Sequence, residues 1–115
     1  MLTTVSAAML CLALVVHREA GGEPDATQKA VTHVIRNRVK QEHKPVCHIT
    51  RQRAQFSRAK HVPVATVRRV QGFWTAPDVT RGATHFHDPS VSPTWARRMT
   101  RTVRYGNLIF YRGNT

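Results

Sequence analysis

The sequence predicts an α+β domain with helices in its first part and a small antiparallel sheet near its C-terminus. Apolar residues recur at helical spacing between Ala26 and Val39, with polar and charged residues between them. Further on, Met99–Tyr105 alternates at strand spacing, Gly106-Asn107 supplies a two-residue turn, and Leu108–Arg112 returns as a partner strand. Because the two periods are segregated along the chain, we expect a mainly helical body beside a separate hairpin.

Length and composition predict one domain spanning residues 1–115. The chain has 115 residues, 41% of them hydrophobic, which allows a single modest core. Its 18 Lys and Arg against 6 Asp and Glu give a net charge of +12. A field of that sign attracts polyanions, and it fits nucleic acid and the anionic bacterial envelope equally well.

The first two helices should meet at a tight corner. Thr3 or Thr4 can cap a first helix that ends near Ala20, and the Gly21-Gly22 pair stops it. Proline suits a first helical position, so a second helix is expected from Pro24.

The apolar start of the first helix predicts a core helix. Its uninterrupted apolar stretch, Ala7–Val16, is too short to span a bilayer. No basic residue precedes His17, although a secretory signal peptide would carry a positively charged leader. We therefore expect the segment to be retained and buried.

The middle of the chain predicts little regular structure. Residues 41–62 are expected to form a loop with at most one short helical turn, and Pro63 to open a short helix that ends near Gly72. Residues 73–94 contain four turn-forming Pro and Gly residues, so they should be mostly loop, with a short strand at Ala83–His87.

The two cysteines predict no disulfide framework. Cys11 lies inside the apolar run and is expected to be a small core residue, while Cys47 lies in a connector. The sequence favours two separate cysteines over a bridge between them.

Glu19 is the candidate catalytic residue. It follows the apolar helix directly, and a carboxyl group in apolar surroundings resists ionisation, which suits a general acid. The alternative is that Glu19 and Glu23 are solvated residues closing a helix. Arg18 precedes Glu19 and could pair with it, but neighbouring helical side chains generally point in different directions, so we do not expect the two side chains to meet.

The histidines do not predict a metal site. His85-x-His87 offers two ligands, and the segment from His17 to Glu19 imitates the H-x-E of zinc deaminases. The Pro-Cys-x-x-Cys half of that signature is absent, and no His-Glu-x-x-His occurs. We expect no metal and no other cofactor.

Several blocks of the sequence resemble the cell-wall hydrolase family that includes spore-cortex-lytic enzymes and small phage endolysins. The similar blocks, in order, are Leu12–Pro24, Asn37–Val39, Val46-Cys47, Gln55–Ser57, Gly82–Pro89, Ser92–Ala96 and Gly106–Tyr111. The chain departs from the family pattern at His17 (usually Tyr), Gly21 (usually Arg) and Leu108 (often His).

The resemblance implies a lysozyme-like, lytic-transglycosylase-like fold with a groove between the helices and the sheet. It implies that Glu19 is the catalytic acid for cleaving the MurNAc–GlcNAc β-1,4 bond. Glu23 is either a second carboxylate of the site or a residue at the helix start, and we favour the second role. The residues implied to contact substrate are Glu23, Gln55, Phe56, Ser57, His85, Phe86, His87 and Tyr111.

The resulting expectation is a peptidoglycan-degrading glycosidase, a phage endolysin or virion-associated lysozyme with one catalytic Glu. It would be a monomer, made in the host cytoplasm without a cleaved signal and acting on the cell wall. Its basic residues would bind the anionic envelope, and no nucleic-acid partner is expected. The alternative is a basic nucleic-acid-binding domain without catalysis, but no recognition motif supports it and it leaves the Glu19 block unexplained.

Overall fold

The computed structural model describes residues 5–54 and 61–113, which form four helices packed beside a three-stranded sheet. The helices are α1 (Ala7–Ala20), α2 (Asp25–Glu42), α3 (Val46–Ala54) and α4 (Val64–Trp74). The strands are β1 (His85–His87), β2 (Thr100–Tyr105) and β3 (Leu108–Arg112), and a 3₁₀ helix, η1 (Thr94–Arg98), precedes β2. The α+β class is confirmed.

The sheet is antiparallel, with β3 between β1 and β2. Phe86 pairs with Phe110 across β1 and β3, and both rings are buried in the core. Since side chains alternate along a strand, His85 and Tyr111, which also pair, lie on the opposite face. One face of the sheet therefore packs on the helices, and the other carries a separate group of side chains.

Helix α1 is the centre of the helical body, as its apolar sequence predicts. It contacts α2, α3 and α4 and buries Leu12, Val15 and Val16 almost completely. Burying side chains of this size contributes about 1.5–3 kcal/mol each. Among the described residues, no helix combines the length and apolar character needed to cross a membrane.

Two helix starts differ in detail from the sequence prediction. Helix α1 begins after Ser6, whose hydroxyl accepts a hydrogen bond from the Met9 amide at 3.2 Å, so neither Thr3 nor Thr4 is the cap. Helix α2 begins at Asp25, with Pro24 in the capping position. The helix that begins after Pro63 is confirmed and extends two residues beyond Gly72.

The prediction for residues 41–62 was wrong, because a nine-residue helix, α3, occupies Val46–Ala54. Its buried residues Val46 and Ile49 pack into the core, and α3 lies against α1. This packing brings Cys11 and Cys47 to a Cα–Cα distance of 5.3 Å, and they form a disulfide. The expectation of two separate cysteines was therefore wrong, since it depended on treating this segment as a connector.

The loop between α4 and β1 is held together by hydrogen bonds to Asp78 and is joined to α2 through Asn37. The Asp78 carboxylate accepts hydrogen bonds from the Thr80 hydroxyl and amide, both at 2.7 Å, and from the Gly82 amide at 2.9 Å. Burial alone would raise the pKa of Asp78, but these bonds and one from Asn37 outweigh it, so its pKa lies below the usual value. The Tyr105 hydroxyl donates to the carbonyl of Val79, which ties β2 to the same loop.

Candidate active site

Glu19 lies in the last turn of α1, at the edge of the helical core. Its neighbours Val16 and Ala20 are buried, whereas the Glu19 side chain is 29% exposed. Arg18 Nη2 donates to Glu19 Oε1 at 2.9 Å, so these adjacent side chains do meet, against the sequence expectation. The carboxylate is thus fixed by the protein on one oxygen and accessible from solvent.

Glu23 lies on the other side of the corner, where α2 approaches the β2–β3 hairpin. Its amide donates to the Ala20 carbonyl at 3.0 Å, and its carbonyl accepts from Gln28 Nε2 at 3.2 Å. The Glu23 carboxylate packs against Gly106, in the hairpin turn, next to the Thr27 hydroxyl. The carboxylate therefore joins the helical corner to the sheet.

A polar network braces this corner from α4. Arg69 Nε donates to Gln28 Oε1 at 3.2 Å and lies 3.6 Å from Asp25 Oδ1. Arg69 Nη2 also donates to the Thr66 hydroxyl at 3.3 Å. The sequence did not indicate this role for Arg69, because the bond connects residues 41 positions apart and no local pattern marks it.

The outer face of the sheet carries a cluster of aromatic and imidazole rings. His87 stacks on Tyr111 with centroids 5.3 Å apart, and its Nε2 lies 2.9 Å from the Tyr111 hydroxyl. Trp95 of η1 meets the edge or tilted face of His85, His87 and Tyr111 at 5.0–5.8 Å. Three of the residues predicted to contact substrate are therefore brought together, and Trp95 joins them.

Phe86, by contrast, does not face this cluster. It is 6% exposed and contacts Phe110 within the core, with ring centroids 5.6 Å apart. Its predicted contact with substrate conflicts with this position, because strand alternation turns it inward between His85 and His87. Gln55, Phe56 and Ser57 lie outside the described residues, so their role stays a prediction.

Two surface cavities flank the sheet, and neither is lined by Glu19. One has a volume of about 410 Å³ and lies between α2 and the end of β3. The other, of about 360 Å³, lies between η1 and the outer face of the sheet. Within residues 5–54 and 61–113, no three His, Cys, Asp or Glu side chains converge as metal ligands would.

Comparison with protein families identifies this architecture. The model of a family described as Cell Wall Hydrolase matches residues 22–111. The chain belongs to the cell wall hydrolase family. It is therefore an enzyme that degrades peptidoglycan. The matched segment includes Glu23 and the hairpin, and it begins three residues after Glu19.

Two solved structures that match this chain share its fold. The catalytic domain of the Bacillus cereus SleB protein is 23% identical, with a TM-score of 0.76 over 97% of this chain and 95% of that one. The catalytic domain of the germination-specific lytic transglycosylase SleB from Bacillus anthracis is 22% identical, with a TM-score of 0.77 over 97% of this chain and all of that one. No curated protein matches the sequence. These similarities confirm the lysozyme-like fold.

Proposed function

We propose that this cell wall hydrolase is a lytic transglycosylase that cleaves the β-1,4 bond between MurNAc and GlcNAc, with Glu19 as its only acid and base. The observation that carries the proposal is the position of Glu19. Glu19 lies in the last turn of α1, next to the buried residues Val16 and Ala20. One oxygen of its carboxylate accepts a hydrogen bond from Arg18, and the side chain stays partly exposed. A proton donor has to be both fixed and accessible in this way.

The proposed reaction needs no water and no second carboxylate. Protonated Glu19 gives its proton to the glycosidic oxygen as the C1–O bond breaks and the MurNAc ring becomes oxocarbenium-like. The resulting carboxylate then removes the proton from the C6 hydroxyl of the same MurNAc, and O6 bonds to C1. The products are a 1,6-anhydro end and a free GlcNAc 4-hydroxyl. Arg18 orients Glu19 Oε1, which leaves Oε2 to carry the proton.

Glu23 is assigned to positioning in this mechanism. Its carboxylate packs against Gly106 and lies beside Thr27, where it holds the hairpin against the start of α2. The competing mechanism is a two-carboxylate hydrolase in which Glu23 activates water, and its products would have reducing ends.

The biological setting that we propose is that of a phage endolysin acting as a monomer. The protein would be made in the host cytoplasm and reach the wall when the inner membrane fails. Its net charge of +12 supports this setting, because it favours retention on the anionic envelope. Lysis of cells that express the chain should then require permeabilisation of the inner membrane, and lysis without it would contradict this setting.

The catalytic proposal is tested by comparing Glu19→Gln with Glu23→Gln. Glu19→Gln keeps the side-chain shape and removes the proton, so lysis should fall by about 10²–10⁴-fold. Glu23→Gln should lose much less activity. Glu42→Gln is the control, because Glu42 pairs with Arg38 at the far end of α2. The rate is measured as turbidity loss of a peptidoglycan suspension, with circular dichroism to verify folding.

Mass analysis of the products separates the two mechanisms. Muropeptides with 1,6-anhydro ends support the single-Glu mechanism. Reducing ends, together with equal inactivation of both folded variants, would favour the paired-carboxylate hydrolase. A folded Glu19→Gln protein that clears the suspension at the wild-type rate would refute the assignment of Glu19.

A further inference from the structure

The cavity between η1 and the outer face of the sheet has a mixed character that the catalytic mechanism does not use. It has a volume of about 360 Å³. Its lining is divided almost evenly between polar and apolar surface, and the cationic side chain of Arg97 borders it. The lining residues are His87, Pro89, Val91, Ser92, Pro93, Ala96, Arg97, Ile109 and Tyr111.

The floor of this cavity is formed by two stacked rings. His87 and Tyr111 come from neighbouring strands, stack on each other, and are joined at 2.9 Å between Nε2 and the phenol oxygen. Tyr111 is buried and His87 is half-buried, whereas Val91 on the rim is 51% exposed. A cavity that combines apolar walls with convergent polar groups is typical of a ligand site.

A β-bulge adds positive charge to the same face. Arg101 and Arg104 are three residues apart, and on a regular strand their side chains would lie on opposite faces of the sheet. The register of β2 shifts between Arg101 and Val103, which changes the face on which the later residues lie. Arg101 consequently pairs with Tyr111 and Arg104 with Ile109, so both arginines belong to the outer face of the sheet.

Few opposing charges lie nearby in the sequence. Residues 89–115 contain five arginines and no Asp or Glu. Asp88 is the acidic residue at the edge of this region, and it interacts electrostatically with His87 and Arg104. The surface is therefore cationic next to an apolar pocket, which favours a ligand that has both apolar groups and carboxylates.

We propose that this cavity binds the peptide stem of peptidoglycan, with stem carboxylates paired to Arg97 and small apolar side chains packed between Val91 and Ile109. The proposal rests on the proposed function in placing the cleaved MurNAc bond at the corner that carries Glu19. Peptide stems combine alanine methyl groups with free carboxylates, and both parts have a matching surface here. A phosphate polymer would match the arginines but leave the apolar walls unused.

The position of the cavity relative to the catalytic corner suits this role. Ile109 lines the cavity, and Gly106, three residues earlier, contacts Glu23. At about 3.3 Å per residue, Ile109 lies about 10 Å along the hairpin from Gly106, which places the cavity that far from the Glu23 contact. A stem attached to the MurNAc whose bond is cleaved at the corner can span that distance.

The test measures binding separately from cleavage. The Glu19→Gln protein is cosedimented with insoluble peptidoglycan freed of phosphate polymers, and in parallel with the same glycan after an amidase has removed its stems. Adding Arg97→Gln should weaken binding to the stem-bearing material by about tenfold, the usual value of a charge-assisted hydrogen bond, and leave binding to bare glycan unchanged. Val91→Ser should weaken the same binding less. Arg68→Gln, which removes an exposed charge on α4, is the control.

Several outcomes would overturn the stem site. Equal loss on both materials, or equal loss for the Arg68 control, would mean that Arg97 acts only through net charge. Binding through Arg97 that appears only on walls retaining phosphate polymers would assign the cavity to phosphate. If the Glu19→Gln protein digests the material during the assay, the assignment of Glu19 as the catalytic residue fails. The stem site is still tested in that case, because binding to stem-bearing and bare glycan can be compared at short incubation times.

Discussion

Gly106 shows what the sequence could and could not predict about a single residue. The Gly-Asn pair predicted the turn, and the observed φ of +54° is one that glycine adopts without strain. The structure adds a second requirement, because a Cβ at Gly106 would collide with the carboxylate of Glu23 and lie 2.9 Å from the Thr27 hydroxyl. The turn follows from local chemistry, whereas the contact with the catalytic corner depends on the tertiary fold.

His33 is a residue whose importance the sequence did not indicate. It lies within the helical pattern of α2 but is fully buried. Its Nε2 lies 2.8 Å from the Phe73 carbonyl and therefore donates, while Nδ1 accepts the Val79 amide at 3.1 Å. This neutral tautomer joins α2 to α4 and to the loop before β1.

We expect His33 to make the protein less stable in mild acid. Burial lowers its pKa below 6.5; the bond to the Phe73 carbonyl opposes the change, and the nearby Arg36 charge adds to it. The unfolded chain then binds a proton at a higher pH than the folded one does. The contribution of neutral His33 to the free energy of unfolding is therefore fully present above about pH 6.5, and it falls as the pH drops below that value. Asp78, whose pKa is also lowered, stabilises the fold above its ordinary value near 3.8 and loses this stabilisation only as the pH falls below that value.

The measurement is urea unfolding at about pH 7.5 and pH 5.5. His33→Gln keeps a donor and an acceptor but does not titrate, so its midpoint should change less between the two pH values than that of the wild type. His48→Gln, at an exposed position on α3, should retain the wild-type change. An unchanged pH dependence in folded His33→Gln would show that other groups cause it.

At the scale of elements, the accuracy of the sequence prediction followed the strength of local signals. Pro63 and the alternating C-terminal segment predicted α4 and the hairpin correctly. Helix α3 was missed because its sequence has a weak apolar period, with polar and charged residues following Ile49 up to Arg53. Its helical form depends on packing against α1, which is a tertiary effect.

The disulfide between α1 and α3 should contribute much of the stability. Cys11 and Cys47 are 36 residues apart, and closing a loop of that size stabilises a protein by about 3–4 kcal/mol. Cys47→Ser should lower the free energy of unfolding by about that amount, because it removes the bridge between α1 and α3. Dithiothreitol should destabilise the wild type equally and leave Cys47→Ser unchanged. A wild-type unfolding midpoint that is insensitive to the reductant would contradict this contribution.

At the scale of the whole molecule, the ordered blocks of sequence predicted the fold class and the family. Glu19, His85, His87 and Tyr111 were singled out before the structure showed where they lie. The cavity beside Arg97 was not predicted, because it forms from η1, the loop after β1 and β3, which meet only in the folded protein. Blocks of sequence identify single positions, while a cavity depends on how distant segments pack.

The net charge of +12 predicts a difference between two substrates. Lysis of whole envelopes should fall steeply with added salt, while cleavage of soluble glycan fragments changes little. Exposed charges lose most of their attraction beyond the Debye length, about 8 Å near 0.15 M salt, whereas proton transfer from a fixed Glu19 to a bound sugar occurs at hydrogen-bond distance. Both rates are measured across a salt series at constant pH. Equal losses on the two substrates would indicate that the basic residues support catalysis or folding and do not retain the enzyme on its envelope.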